Sequence, residues 1–600
     1  MRPMTQPPQP PLPACAPAAD TSDEGRYLAL LARDARFDGH FFTGVTSTGI
    51  YCRPVCAVRT PRRDNCRFFT LAAQAERAGF RPCLRCRPEL APQALRWSLQ
   101  DASAVLVQQA VRLLDAPELW APAPQQAAQA AQAGHPGAVA RLAQRLGVSD
   151  RHLRRIFEAA LGVSPLQYLQ TRRLLTAKQL LTDTTMPVTD IALASGFASL
   201  RRFNAAFAGH YRLNPTQLRR SGADAAAPTQ CSDASVITPA QRSGASATPM
   251  QRSDTSATAT QRSGTNATAM QRSGASATAM QRSGASATAT QRSGASATAG
   301  HTGELRLAWR PPLDVAALLA FFARRQLHGV EWVLPDGAGP ILRRTVRLAP
   351  GCTGQPREII GWISARFDGS RHLLLLQASD SLYPVLPLVI RRVRALLDLD
   401  ADPAAINAVL HPHFPQGDGL RLPGAFDGFE LAVRAVLGQQ VTLAAARTLG
   451  QRLVERLGQT IATPWPELHR LFPSPATLAA TDGAVLGQMG IVRQRQAAIV
   501  ALARAVDGGQ LALHDGADPE KTTAALCALP GIGDWTAQYI AMRVLRWPDA
   551  FPSGDVALHK ALGLQGQKNP ARAATAAAQA WRPWRSYALL RAWAGAAAQA

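Results

Sequence analysis

The chain has 600 residues, 46% of them hydrophobic, and carries 65 Lys and Arg against 41 Asp and Glu, a formal net charge of +24. That length exceeds what one core organises, so several domains are expected, and the basic balance points to nucleic acid as the partner. No apolar run reaches the length of a membrane span, and the proline-rich start MRPMTQPPQPPLPACAPAAD lacks the apolar core of a signal peptide. The expectation is a cytoplasmic protein without membrane contact, whose nine cysteines stay reduced, so that close pairs point to metal rather than disulfides.

Residues 1–25 read as a disordered tail. In the segment that follows (26–97), three residues separate Cys52 from Cys56, two separate Cys83 from Cys86, and 26 lie between the pairs. Two such loops suit one tetrahedral Zn2+ ion held by four sulfurs, and on spacing alone a structural clip is the simpler reading. Cys66 falls outside the pattern and reads as a small buried side chain. The charge adds something else: between Tyr51 and Arg96 stand ten arginines and three acids, Asp64, Glu76 and Glu89. A zinc-bound thiol is held deprotonated at neutral pH, and a basic surround suits a phosphate backbone. The stretches FFTGVTSTGIYCRPVCAVRTPRRDNCRFF and AERAGFRPCLRCRPE resemble the N-terminal domain of the Ada family of alkylation-response proteins. The resemblance implies that Cys52 accepts a methyl group from a DNA phosphotriester in a single suicidal turnover, while Cys56, Cys83 and Cys86 complete the zinc site. A second transferase of that family, marked by Pro-Cys-His-Arg and directed at O6-methylguanine, has no counterpart in this sequence.

Residues 98–222 read as helices. VARLAQRLGVSDRHLRRIFEAALGVSP (Val139–Pro165) has helix-turn-helix form: Leu142, Leu146, Leu153, Ile156 and Phe157 suit buried faces, Gly147 the turn and Ser149 the cap. Its second helix presents Arg151, His152, Arg154 and Arg155 to phosphates and base edges. VTDIALASGFASLRRFNAAFAGHYRLNPTQLR repeats the form, with Arg201 and Arg202 on the recognition helix. A basic helical bundle that binds nothing has the same pattern, but two units joined by a long helix resemble the AraC-type DNA-binding domain. Six imperfect copies of QRSGASATAM follow from Gln241 to Gly300, with nothing large and apolar to bury, so 223–302 reads as a low-complexity linker.

Beyond the repeat an α+β domain is expected over 303–415, with a buried strand at Arg371–Ala378 and an amphipathic helix at Pro384–Leu397. An all-helical domain is expected over 416–600. There LPGIGDWTAQYIAMR (Leu529–Arg543) places Gly531 and Gly533 in a turn whose N–H groups suit a phosphate, or simply pack two helices. FPSGDVALHKAL follows, with Asp555 at a helix start, where it could serve only as a cap. Trp535 and Tyr539 sit four residues apart, a spacing equally suited to a core pair.

The order hairpin, loop, Asp, then WRPWRSYALLRAW, together with RPP and GLRLPGAFDGFELAVRAVLGQQVT, resembles the helix-hairpin-helix DNA glycosylases of the AlkA type from about Leu305 to Trp593. The resemblance implies excision of N-alkylated purines such as 3-methyladenine. Trp535, Tyr539 and Trp593 would form the base pocket, Asp555 would be the catalytic carboxylate, and Gln440 would stand where the family has a leucine wedge. Trp535 occupies the position at which strand-cutting relatives carry lysine, which implies monofunctional, hydrolytic base removal. A monovalent cation at the hairpin would be the one further ion. The whole chain thus resembles an Ada-type regulator fused to an AlkA-type glycosylase: multidomain, mainly α with α+β parts. Alkylated and promoter DNA and RNA polymerase are its expected partners, and a monomer its expected state. The alternative is a transcription regulator whose glycosylase half only binds DNA.

Overall fold

The computed structural model describes residues 22–92, 102–115, 138–226, 303–334, 339–350 and 357–598. Most of the expected N-terminal tail and all of the decapeptide repeat lie outside the described residues. Ser22 caps a helix over Asp23–Leu31, so the last residues assigned to the tail belong to that helix. The helix over Pro215–Ala226 likewise runs past the expected start of the linker at 223.

The first module is a four-stranded sheet of β1 (Phe42–Val45), β2 (Ile50–Cys52), β3 (Cys66–Phe69) and β4 (Arg81–Pro82), in the order β3-β1-β2-β4. The β2–β4 pair is parallel, with Ile50 opposite Arg81 and Tyr51 opposite Pro82. That register brings the end of β2, carrying Cys52, beside the residues after β4, where Cys83 N–H donates to Tyr51 O at 3.0 Å. Phe42, Tyr51, Ala72, Ala75 and Phe80 fill the module's interior, and Leu175 from a neighbouring helix completes it.

Two helix-turn-helix units follow. In the first, the helices Ala138–Arg145 and Asp150–Leu161 meet at Gly147, whose φ of 71° suits a residue without a Cβ. Ser149 Oγ accepts the His152 N–H at 3.2 Å, while Leu142, Leu153, Ile156 and Phe157 are buried and Leu146 packs beside them. The linking helix Pro165–Asp183 begins with a capping box of Ser164 and Gln167. The second unit comprises Val188–Ala194 and Leu200–Tyr211.

The α+β domain is built on an antiparallel sheet of β5 (Leu305–Ala308), β6 (Glu331–Leu334), β7 (Ile341–Leu348), β8 (Ile359–Asp368) and β9 (Leu373–Ala378), in the order β5-β9-β8-β7-β6. The expected strand at Arg371–Ala378 starts at Leu373, and only alternate residues (Leu374, Leu376, Ala378) are buried, because an antiparallel strand turns successive side chains to opposite faces. The expected helix at Pro384–Leu397 is an α-helix over Leu386–Leu396. Pro384 sits in a preceding 3-10 turn, and Pro387 fits the first helical turn, where its missing N–H costs nothing. The remaining residues form a helical domain around a large apolar cluster. Among the described residues, no helix is long and apolar enough to cross a membrane.

Candidate functional site

The sulfur atoms of Cys52, Cys56, Cys83 and Cys86 all lie within 4.8 Å of one another, at the ends of β2 and β4 and in the turns that follow. Cys52, Cys56 and Cys83 are buried, and Cys86 is half-buried. Hydrogen bonds from Cys52, Cys56 and Cys86 depress the Cys83 thiol, while bonds with Cys56 and Cys83 push Cys52 up. Four thiols at this spacing suit one tetrahedral Zn2+, which would let each be a thiolate without competing for protons. Cys66, 7% exposed, donates its S–H to Arg62 O at 3.3 Å and takes no part.

The described arginines differ in burial, a distinction that composition alone merges. Arg53 and Arg87, which directly follow Cys52 and Cys86, are buried. Arg53 N–H donates to Cys86 Sγ at 3.3 Å, and its guanidinium pairs with Asp38. Arg87, in the left-handed region at φ 56°, donates to Glu89 at 2.9 Å and to Asp183 at 2.6 Å. Lys178 of the linking helix, 1% exposed, donates to Cys83 O at 3.0 Å and to Glu89 at 2.6 Å. Burial pushes the Glu89 carboxyl up, but the charges of Lys178 and Arg87 outweigh it and hold it low. These groups brace the cluster. Among the described residues of this stretch, Arg59, Arg62, Arg67, Arg77 and Arg85 are exposed, while Arg63 and Arg81 are half-buried.

The module also touches the second recognition helix. Tyr51, next to Cys52, donates its hydroxyl to Glu76 Oε1 at 2.9 Å, and His210 Nε2 lies 2.9 Å from the same oxygen. Thr171 of the linking helix donates to the other oxygen of Glu76. Arg151, Arg154 and Arg155 are exposed on the first recognition helix and Arg201 and Arg202 on the second, while His152 is half-buried. Arg154 pairs with Asp150 at 2.9 Å, and Arg155 lies 3.2 Å from His152 Nδ1.

In the helical domain, the helices Pro519–Cys527 and Asp534–Arg543 form the hairpin, with Gly531 at φ 76° and exposed Gly533 capping the second helix. Asp555 caps the helix Val556–Ala561, and its buried carboxylate does more than cap. Oδ1 accepts from Leu558 N at 2.7 Å and from Trp593 Nε1 at 3.0 Å, while Oδ2 accepts from Trp535 Nε1 at 3.0 Å. Trp535 and Tyr539 stack at 5.3 Å with 7° between ring planes, and Trp593 lies 6.5 Å from Tyr539. All three rings are half-buried.

Three groups here carry no sequence signal of a site. Gln439 Nε2 donates to Gly531 O at 2.9 Å and to Thr536 Oγ1 at 3.0 Å, tying the hairpin to the turn before the helix Leu443–Leu457. Its neighbour Gln440 is exposed and left-handed at φ 52°. Arg543 donates to the Tyr539 hydroxyl at 2.6 Å and lies over the Phe321 ring at 4.9 Å, so a helix of the α+β domain (Val315–Ala323) reaches the aromatic group. Burial opposes ionisation of Tyr539, but Arg543, Arg325 and Arg434 outweigh it and hold the phenol below the ordinary tyrosine range. In sequence, LLAFFARR reads only as a core helix.

The chain matches the metal binding domain of Ada over residues 25–89, a helix-turn-helix domain over 142–221, the AlkA N-terminal domain over 304–427, and the HhH-GPD superfamily of base excision DNA repair proteins over 433–586. A Mycobacterium tuberculosis protein described as a probable bifunctional transcriptional activator/DNA repair enzyme AlkA is 34% identical over 94% of this chain and 95% of its own length. The chain belongs to that family. Members join the Ada-type regulator and the AlkA-type glycosylase in one polypeptide. The two halves also match separate proteins. Escherichia coli DNA-3-methyladenine glycosylase 2 is 36% identical over 48% of this chain and 95% of its own length. The Escherichia coli bifunctional transcriptional activator/DNA repair enzyme Ada is 34% identical over 25% of this chain and 36% of its own length.

Proposed function

We propose that this family member detects alkylation of the DNA backbone, activates transcription in response, and excises N-alkylated purines such as 3-methyladenine. The observation that carries the reading is the Asp555 carboxylate, fixed by two indole N–H groups beside aromatic faces, in a chain that also gathers four cysteines at one point.

Bound zinc would keep the four cysteine sulfurs deprotonated, supplying a standing thiolate. Cys52 Sγ then attacks the methyl carbon of a phosphotriester; the S–C bond forms, the C–O bond breaks, and the phosphodiester leaves with the electron pair. The cluster loses one negative charge. At an effective dielectric near 20 and about 15 Å from a phosphate, that loss is worth about 1 kcal/mol of DNA affinity. Methylated protein is therefore expected to bind its promoter several-fold more tightly, with the gap closing as salt rises. Equal affinities at low salt would leave a repair site without a switch. The contact from Tyr51 through Glu76 to His210 gives the cluster a physical link to the second recognition helix. On this reading Arg151, His152, Arg154, Arg155, Arg201 and Arg202 contact promoter DNA, and RNA polymerase is the downstream partner of a monomer.

In the glycosylase half, Trp535, Tyr539 and Trp593 offer faces that attract a cationic flipped base, and Gln440 fills the gap it leaves. As the glycosidic bond breaks, its electrons neutralise the leaving base. Asp555 stabilises the sugar cation, and water adds to it, losing one proton by way of the Asp555 carboxylate to solvent. Gly531 and Gly533 hold a phosphate of the same strand, with a monovalent cation at the hairpin. With Trp535 where a strand-cutting enzyme would carry lysine, excision leaves an intact abasic strand. The test is methylated duplex incubated with enzyme and borohydride: free base with no nick and no trapped adduct is expected, and a covalent adduct would overturn the hydrolytic mechanism.

A further inference from the structure

We propose that the regulator half carries a docking surface for the glycosylase half of the same chain, so that activator and repair enzyme act as one body. The keystone is Arg310, which follows β5 and has no solvent exposure. Its guanidinium donates to Asp38 O at 2.9 Å and Pro92 O at 3.1 Å on the zinc module, and to Asp400 O at 2.9 Å and Ala401 O at 3.1 Å on the glycosylase side. A buried guanidinium with two carbonyl partners from each side is left under-satisfied if either side withdraws.

Around Arg310 the backbones approach as only glycine permits. A Cβ on Gly39 (φ +78°) would lie 1.9 Å from Pro92 O and 3.1 Å from the Arg310 guanidinium. A Cβ on Gly303 would lie 1.9 Å from Asp183 O, at the end of the linking helix. Further polar contacts cross the same boundary: Gln179 Nε2 donates to Arg306 O at 3.1 Å, and His40 Nε2 lies 3.3 Å from Asp402 Oδ2. Beneath them Leu174, Leu180, Leu181 and Phe207 join Leu305, Leu307 and Trp309 in one apolar cluster, a core shared between domains that occur as separate proteins elsewhere. The recognition-helix residues Arg201 and Arg202 stay exposed, so the docked body keeps that DNA-facing surface open. The contacts do not depend on the roles proposed for Cys52 or Asp555.

The test uses the full chain with a protease site inserted between Gln241 and Gly300. After cleavage, the two fragments are expected to co-elute on gel filtration at micromolar concentration, with the 64.0 kDa mass of one chain. Arg310→Ala should abolish that co-elution. Because Arg310 also bonds carbonyls on its own side, the pair His40→Ala with Gln179→Ala, confined to the regulator, should weaken it independently. Base release and methyl uptake retained by each variant would show that it folds. Wild-type fragments that separate, or that elute at twice the chain mass through exchange between copies, would overturn the proposal.

Discussion

Asp555→Asn is expected to lower 3-methyladenine release by about a hundredfold or more, the scale on which a single preorganised electrostatic group contributes to catalysis. The geometry makes this a clean substitution. Oδ1, which an asparagine retains as its carbonyl oxygen, accepts from both Leu558 N and Trp593 Nε1. The helix cap therefore survives, and with it the fold. What disappears is the negative charge proposed to stabilise the sugar cation, together with the acceptor for Trp535 Nε1, since the new amide group would point an N–H at an N–H. Abasic-site DNA binding should stay near wild type while single-turnover release collapses. Trp535→Phe removes only the orienting bond and part of the stacking face, so a smaller loss is expected, expressed in the rate of the chemical step. If Asp555→Asn released base at the wild-type rate, Asp555 would be no more than a cap.

The second large effect concerns the cysteines. Cys56→Ser or Cys83→Ser is expected to lose zinc and unfold the first module, because structural zinc supplies roughly 10–16 kcal/mol in small domains with little core of their own. The module's core is small: five apolar side chains of its own and one lent by the linking helix. Chelation should act in the same direction. So should acid, since each ligand must shed a proton to bind, and affinity falls as pH drops. Cys52→Ser is expected to abolish methyl uptake as well. Zinc content and near-ultraviolet circular dichroism of the variants, read against wild type at the same pH, check each step.

The candidate site residues that the structure gathers could be found in sequence because they sit at short, stereotyped spacings. The two cysteine pairs, the Pro-Gly-x-Gly turn and the aspartate at a helix start are local patterns, and the parallel pairing of β2 with β4 brings the first of them together. What sequence left unread depends on contacts between distant segments. The arginine count between Tyr51 and Arg96 treats all ten alike, yet Arg53 and Arg87 are turned inward by Asp38, Glu89 and Asp183, the last of which is 96 positions away from Arg87. Spacing cannot announce a partner that far along the chain. The same holds for Lys178, an apparently ordinary helix residue that is buried against Cys83 and Glu89. Gln439 was hidden beside the residue singled out as the wedge, and Phe321 inside an apolar run whose pattern fits any core helix. The helix limit moved by a few residues where proline decides it, and the strand begins where its pairing does, at Leu373 opposite Asp368.

The most direct measurement follows both products from one preparation: full-length protein and methylated duplex DNA, with free bases separated by chromatography and the cysteine peptides weighed by mass spectrometry. Released 3-methyladenine from an uncut strand and a single added methyl group on the peptide containing Cys52 are expected. Asp555→Asn should lose only the first product and Cys52→Ser only the second. Methyl uptake without base release from the wild-type protein would instead mean a regulator whose second half merely holds DNA.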